Sequence, residues 1–170
     1  MKTSYTEYRT EEKMISREIV LSEQPAANLY GLTMLSDDRT QAKDVRDLYQ
    51  CYKTAVHAEE GAVVPLYIGT KDYNTRSRDF TLFIAGNIQA PGLRPIMLPG
   101  GLYAHFPVRA RFGYFWGAAL RKARCHFYGF WLSHSDYEPR NIDYEFHTQK
   151  TMLDSPEVEL YFAIKKKAGR

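Results

Sequence analysis

The alternation of hydrophobic and polar residues divides the first half of the chain into strands and one helix. Residues 14–35 alternate in two strand-like pieces, which separate near Gln24 and Pro25. Residues 36–61 change to a helical period, with a stop at Gly61. The apolar positions of this predicted amphipathic helix are Val45, Leu48, Tyr49, Tyr52, Ala55 and Val56. Residues 62–73 and 78–88 again have the pattern of strands.

The second half repeats this order of elements. Residues 93–108 predict two strands around a hairpin turn at Pro99, Gly100 and Gly101. A second helical period follows in residues 111–132, and two strands follow it in "YEFHTQ" and "PEVELYFAIKKK". The apolar stripe of the second helix consists of Phe112, Phe115, Trp116, Ala119 and Leu120.

This order predicts an α+β fold made of two pseudo-symmetric strand-helix-strand-strand halves. They would form one antiparallel sheet with the two helices on one face. Short sequence echoes favour an internal duplication: "YGLTML" and "GGLYAHF" precede the helices, and "VPLYIG" and "VELYFAI" follow them. We expect a single domain over residues 14–167 after a flexible lead-in of residues 1–13.

Composition and charge exclude several classes of protein. A length of 170 residues suits one domain, and a net charge of +3 is too small to indicate a nucleic-acid partner. Cys51 and Cys125 form no disulfide framework, and the polar start of the chain lacks the core of a signal peptide. No apolar run is long enough to span a membrane. We therefore expect a cytoplasmic protein with no membrane partner.

Enzyme, cofactor and metal motifs are missing from the sequence. It contains no GxGxxG, GxxxxGK[ST] or GxSxG pattern, so no cofactor is expected. The five histidines lack the spacing of zinc ligands, so no metal is expected. Basic residues among the aromatics of residues 108–124 can bind nucleic acid, but most of them lie off the apolar stripe. The better interpretation is that these basic residues lie on the solvent-exposed side of the helix, and no direct DNA binding is expected.

Glu145 is the most unusual charged position, because it lies between Tyr144 and Phe146 in a predicted strand. If the last two strands pair as a hairpin, Glu145, Glu159 and Tyr161 can line one patch. A carboxylate surrounded by aromatic rings suits an organic cation, through countercharge and cation–π attraction. The alternative is that the glutamates lie on the solvated face of the sheet.

Residues 93–166 resemble the GyrI-like effector-binding domain, an SHS2-like module of AraC- and MerR-type multidrug regulators and of the gyrase-inhibitory protein. The resemblance rests on "LPGGLYAHFPV", "FWLSHSDYEP", "DYEFHT" and "VELYFAIK". The matching positions are Gly101, Tyr103, Ala104, Trp131, Leu132, Ser135, Tyr137, Glu138, Tyr144, Glu145, Ala163 and Ile164. Ala163 departs from the family, which often has a proline step there.

The resemblance implies a ligand cleft at the junction of the two halves. Glu145 matches the family's cleft glutamate, which neutralises cationic and often aromatic ligands. The other ligand-binding residues that we expect from the resemblance are Glu159, Tyr161, Tyr103, Trp116 and Trp131 in the second half, and Tyr67 and Phe83, with Tyr30, in the first half.

The leading hypothesis is a stand-alone protein that binds a small cationic or aromatic compound, with a role in transcription regulation or drug response. An unpartnered Glu145 should have a raised pKa or hold water. One alternative is a hydrolase of reactive electrophilic molecules that uses Glu145 as general base. Another is a DNA gyrase-binding inhibitor, as in the namesake of the family.

Overall fold

Eight antiparallel strands and two helices form the described part of the chain. The computed structural model describes residues 19–62, 64–109, 116–148, 151 and 157–169. The elements are β1 (Val20–Gln24), β2 (Ala27–Asp37), α1 (Gln41–Ala55), β3 (Leu66–Lys71), β4 (Asp79–Gly86), β5 (Arg94–Leu98), β6 (Gly101–Arg109), α2 (Trp116–His126), β7 (Tyr137–His147) and β8 (Glu157–Lys166). The expected lead-in of residues 1–13 lies outside the described residues, as do Phe112 and Phe115.

The strand order shows the predicted pseudo-symmetry of two halves. The sheet runs β1-β6-β8-β7-β3-β4-β2-β5, so reversing it exchanges β1 with β5, β2 with β6, β3 with β7 and β4 with β8. The α+β class is confirmed. One sequence echo was misassigned, because "VPLYIG" lies in β3 and "VELYFAI" in β8, and these strands are not equivalent. Both are interior strands of the sheet, each paired on two sides.

The first two strands of each half form one bent ribbon that joins the halves. Gln24 of β1 pairs with Gly101 of β6, and Ala27 of β2 pairs with Leu98 of β5, so both ladders keep the same register. The turn at Pro99 and Gly100 is therefore not the predicted hairpin, because β5 and β6 pair with other strands. The chain does turn at these residues, as predicted, but the residues of a turn do not determine which strands pair with each other.

This ribbon forces the sheet to curl. In a flat sheet β5 and β6 would lie six strands apart, about 29 Å, whereas their two-residue link spans at most about 11 Å. At the bend Gly101 has a φ of +128°, which only glycine adopts readily, and Arg140 donates to the carbonyl oxygen of Gly100 at 2.9 Å. The bend thus depends on glycine and on one guanidinium.

Both helices pack on one face of the sheet, which we call the helix face. Leu48 and Tyr52 of α1 are buried against Phe80, Leu82 and Ile84. Burying side chains of this size stabilises the fold by about 1.5–3 kcal/mol each. The second helix packs in the same way and continues as a π-helical turn over Phe127–Trp131. Its core cluster includes Leu120, Ala123, Phe127, Phe106, Leu160 and Phe162.

The opposite face of the sheet has its own buried cluster, to which seven strands contribute. Its buried members are Leu29, Phe83, Ala85, Ile96, Leu98, Tyr103, Ile142, Tyr144 and Ala163, with Ala27, Tyr67 and Tyr161 partly buried against them. Side chains from so many strands can meet only because the sheet curls around this face. The fold therefore has an interior on the side away from the helices, across the junction of the two halves.

Candidate functional site

Four tyrosines contact one another on the face opposite the helices. We call this cluster, formed by Tyr67, Tyr103, Tyr144 and Tyr161, the tyrosine face; Tyr103 and Tyr144 are buried, and Tyr67 and Tyr161 are partly exposed. The ring of Tyr144 stacks on Tyr161 with centroids 5.0 Å apart. It meets Tyr67 and Tyr103 edge to face at 5.5 Å and 5.7 Å. Tyr67 belongs to the first half and the others to the second, so the cluster spans the junction.

Strand register explains why these four residues meet. Tyr144 of β7 is paired directly with Tyr161 of β8, and Tyr67 of β3 is paired with Phe146. Phe83, fully buried, lies beside them over Gly69. A Cβ at position 69 would clash with the ring of Phe83, so this glycine allows a large ring to lie flat on the sheet. Two of the predicted residues, Tyr67 and Phe83, thus share one cluster with Tyr103 and Tyr161.

Glu159 and His105 lie at the rim of the tyrosine face. Nδ1 of His105 is 2.6 Å from Oε1 of Glu159, and the imidazole stacks on Tyr161 at 4.9 Å. The side chains of His105 and Glu159 are 18% and 28% exposed, so both remain within reach of solvent. A surface depression of about 180 Å³ adjoins them, lined by Phe146, Thr148, Glu157 and Glu159.

The tyrosine hydroxyls are neutral at physiological pH. Burial is the main cause that raises the pKa of Tyr67, Tyr103, Tyr144 and Tyr161 above the usual value for tyrosine. Glu159 therefore supplies the negative charge at the rim of an aromatic and otherwise uncharged cluster. Such a surface can attract a flat cation and offers little to an anion.

Glu145 lies on the helix face, in a buried network with Arg124 of α2. Arg124 donates from Nε to Asp143 at 3.0 Å and from Nη2 to Glu145 at 2.9 Å. The other oxygen of Glu145 contacts Nε2 of His147 at 2.8 Å, and Tyr128 donates to Asp143 at 2.9 Å. The side chain of Glu145 is only 8% exposed. Both of its oxygens therefore have partners within the protein.

The pKa of Glu145 is lowered, contrary to the expectation from sequence. Burial alone would raise this pKa, but the positive charge of Arg124 and the contact with His147 outweigh burial. Burial likewise would lower the pKa of Arg124, and the two carboxylates raise it instead. The buried carboxylate of Glu145 does face a positive charge, but that charge is Arg124 of the protein itself and not a bound ligand.

The structure separates Glu145 from Glu159. β7 and β8 pair as predicted, yet Glu145 is opposite Leu160, and Glu159 is opposite Phe146. Paired residues share a face, so the two glutamates point to opposite sides of the sheet and do not line one patch. This expectation was wrong because alternation along a strand gives two faces without saying which partner residue lies opposite.

The remaining expected residues lie on the helix side or outside the description. Trp131 stacks on Phe127 and Tyr137, at 5.2 Å and 6.1 Å, within the core under α2. Tyr30 is paired with Gly86, on the side of the sheet that meets Tyr52 of α1. Trp116 begins α2, and its side chain is outside the described part of the structure.

Sequence reasoning missed Arg124, His105 and the role of Tyr144. Arg124 follows the buried Leu120 by four residues, so helical spacing places it on the buried stripe despite its charge. His105 follows Tyr103 by two residues on β6, so strand alternation places both side chains on the same face. These signals were in the sequence, but they can be used only when the paired strands are known.

Comparison with known proteins identifies the fold. No protein-family model and no curated protein matches the chain. Among solved structures, SAV2435 bound to tetraphenylphosphonium is similar with a TM-score of 0.64 and 14% identity, over 87% of this chain and 94% of that one. The C-terminal domain of EcmrR is similar with a TM-score of 0.57 and 16% identity, over 88% and 98%. The chain has a GyrI-like fold.

Two other solved structures share this GyrI-like fold but are described as other kinds of protein. An integron cassette protein from Vibrio cholerae has a TM-score of 0.63 and 10% identity, over 88% of this chain and 97% of that one. A hydrolase from Listeria innocua has a TM-score of 0.51 and 10% identity, over 93% and 98%. At such identities the likeness establishes the fold and leaves the ligand and the reaction to be argued from the site.

Two further findings concern membranes and metals. Neither α1 nor α2, the helices of the described residues, has the length and apolar character of a membrane span. In the same part of the chain, no three histidine, cysteine, aspartate or glutamate side chains lie close enough together to hold a metal ion.

Proposed function

We propose that this protein binds small aromatic cations on the tyrosine face, with Glu159 as the countercharge. The observation that carries the proposal is the row of stacked rings that ends at a partly exposed carboxylate. The similar fold of SAV2435, whose structure contains tetraphenylphosphonium, supports it. Glu145 has a different role in this proposal, because Arg124 and His147 already occupy its oxygens.

The energies favour a cation over a neutral compound of the same shape. A cation over a tyrosine ring gains about 0.5–2 kcal/mol. At a separation of about 7 Å and an effective dielectric constant of about 20, the attraction to one carboxylate is about 2 kcal/mol. This attraction corresponds to a factor of roughly 30 in the dissociation constant. A neutral ligand receives neither contribution and leaves the carboxylate desolvated.

Titration calorimetry with tetraphenylphosphonium tests the proposal directly. Wild type should bind this cation more tightly than the neutral triphenylphosphine oxide. Glu159→Gln should weaken binding of the cation roughly 30-fold and leave binding of the neutral compound unchanged. Glu138→Gln is the matched control, because Glu138 pairs with Lys165 at 2.9 Å on a solvated part of β7.

A second comparison separates the two glutamates. Glu145→Gln should leave cation affinity nearly unchanged if the tyrosine face is the site, since Glu145 lies on the other side of the sheet. A large loss of affinity in Glu145→Gln, with none in Glu159→Gln, would contradict the proposal and place the ligand under the helices. The stability of both variants is measured in parallel, so that unfolding is not mistaken for lost binding.

The cellular role that we propose is that of a cytoplasmic small-molecule sensor in transcription regulation or the response to toxic compounds. EcmrR, whose structure has been determined in complex with DNA, has a C-terminal domain of similar fold, which supports a role in transcription regulation. The hydrolase and gyrase-inhibitor alternatives stay hypotheses. Arg124 and His147 already contact both oxygens of Glu145, and its lowered pKa makes it a weaker base than an ordinary glutamate, so both observations argue against Glu145 as the general base of a hydrolase.

A further inference from the structure

His105 is the last ring of a stacked row on the tyrosine face. Its imidazole lies against Tyr161 with 4.9 Å between centroids and 19° between planes, and Tyr161 stacks in turn on Tyr144. The same imidazole contacts Glu159 through Nδ1 at 2.6 Å. A protonated imidazole in this position is an aromatic cation that rests on a tyrosine and faces a carboxylate. It has the surroundings that the proposed ligand requires.

We propose that His105 is an internal competitor of the ligand: when neutral it leaves the negative charge of Glu159 to the ligand, and when protonated it neutralises that charge. This inference rests on the proposed function and adds control of the same site by pH. A neutral imidazole donates Nδ1–H to Glu159 and leaves the pair with one negative charge. A protonated imidazole keeps that hydrogen bond and brings the net charge of the pair to zero, so a cationic ligand loses its countercharge.

The charged groups near His105 are two carboxylates and one arginine. On β8 the flanking charged groups are Glu159 and Glu157, and Glu157 accepts from Arg109 of β6 at 2.9 Å. On β1 the residue opposite His105 is Val20, and on β7 this face carries Tyr144, Phe146 and Thr148. Histidine is the side chain that ordinarily titrates between pH 5 and 8.

The chain also contains a matched histidine on the other face of the sheet. His147 contacts Oε2 of Glu145 at 2.8 Å and is 20% exposed, close to the 18% of His105. It differs in lying on the helix face, away from the tyrosines. The two histidine–glutamate pairs therefore separate an effect at the proposed site from a general effect of histidine protonation on the fold.

Calorimetric titration of tetraphenylphosphonium between pH 5.5 and pH 8 tests the inference, since this cation carries no titratable proton. Wild type should bind about 10-fold more weakly at pH 5.5 than at pH 8. Near the middle of this range binding should also release protons, which is detected as a heat that depends on the buffer. His105→Gln should bind with the same affinity at both pH values and release no protons.

The control variants and the outcomes are distinct. His147→Gln should keep the pH dependence of wild type, and the exposed His134→Gln should do the same if His147→Gln folds poorly. Equal binding by wild type at the two pH values, or a pH dependence that survives in His105→Gln, overturns the inference and leaves the proposed function in place. Absence of binding by wild type at pH 8 overturns both.

Discussion

Replacing Arg124 with methionine should destabilise the protein strongly. Arg124 bridges Asp143 and Glu145, whose side chains are 7% and 8% exposed, with contacts of 3.0 Å and 2.9 Å. Methionine fills much of the same space but leaves two neighbouring buried carboxylates without their cation. The variant therefore tests whether the network holds α2 on the sheet through charge rather than through packing alone.

The expected loss is about 3–5 kcal/mol of the free energy of unfolding, the range found when one partner of a buried ion pair is removed. This is a large part of the about 5–15 kcal/mol that stabilises an ordinary domain. Arg109→Met is the matched control. Arg109 contacts Glu157 at the same 2.9 Å, but these side chains are 57% and 34% exposed. Its loss should be about 0–1 kcal/mol.

Urea denaturation at pH 7, followed by circular dichroism, measures both variants. A rescue is also expected: adding Asp143→Asn and Glu145→Gln to Arg124→Met should recover most of the lost stability, because this network then holds no unpaired buried carboxylate. The account of this network is refuted if Arg124→Met costs no more than Arg109→Met. It is equally refuted if the triple variant is less stable than the single one by the summed cost of the two added changes.

Two further predictions concern acid and a close contact in the sheet. Because the folded-state pKa of Glu145 lies below its ordinary value of 4.5, its stabilising contribution is present above that pH and is lost as the pH falls through the folded-state pKa. Urea midpoints measured from pH 7 to pH 3 should thus fall less steeply in Glu145→Gln than in wild type, and parallel curves would contradict this. Gly69→Ala should cost about 1–3 kcal/mol, because its Cβ would clash with Phe83 and lie 2.6 Å from the carbonyl oxygen of Asp143. Gly117→Ala, in open space on α2, is the control and should be neutral or slightly stabilising.

The sequence predicts those parts of the fold in which buried residues recur at the regular spacing of a strand or a helix. Val158, Leu160, Phe162 and Ile164 alternate along β8 and are all nearly inaccessible to solvent, so their pattern directly reports a strand with one buried face. The helical stripe of α1 reports its buried side in the same way. Such patterns give the order of elements, and the resemblance in the second half supplied the arrangement of the sheet.

Pairing between strands could not be predicted in this way. The turn after Leu98 has the residues of a hairpin, but β5 pairs with β2, because the whole ribbon crosses between the halves. The faces of Glu145 and Glu159 depend on the register of β7 against β8, and the bulge between Pro139 and Asp143 shifts this register by two residues, which leaves the faces unchanged. Asn141, with a φ of +59°, lies within this bulge. A register that differed by one residue would instead exchange the faces of the strand.

The candidate site was predicted in its chemistry and only partly in its members. Tyr67, Tyr103, Tyr161 and Phe83 do lie together in one cluster with Tyr144. Glu145 has the expected positive partner, but that partner is Arg124, which the charge pattern of α2 assigned to the solvated back. An arginine on a buried stripe is rare enough that hydropathy alone argues against it, and only the facing carboxylates explain it.

The bent ribbon also has a consequence for the order of events in folding. Its pairs join Val20 to His105 and Gly31 to Arg94, so each of them closes a loop that contains α1, β3 and β4. Closing so long a loop costs chain entropy before any neighbouring contact compensates for it. We therefore expect the hairpins β3–β4 and β7–β8 to form early and the ribbon to form late. Until it forms, neither half of the chain has its full set of strands, so the halves gain their stability together.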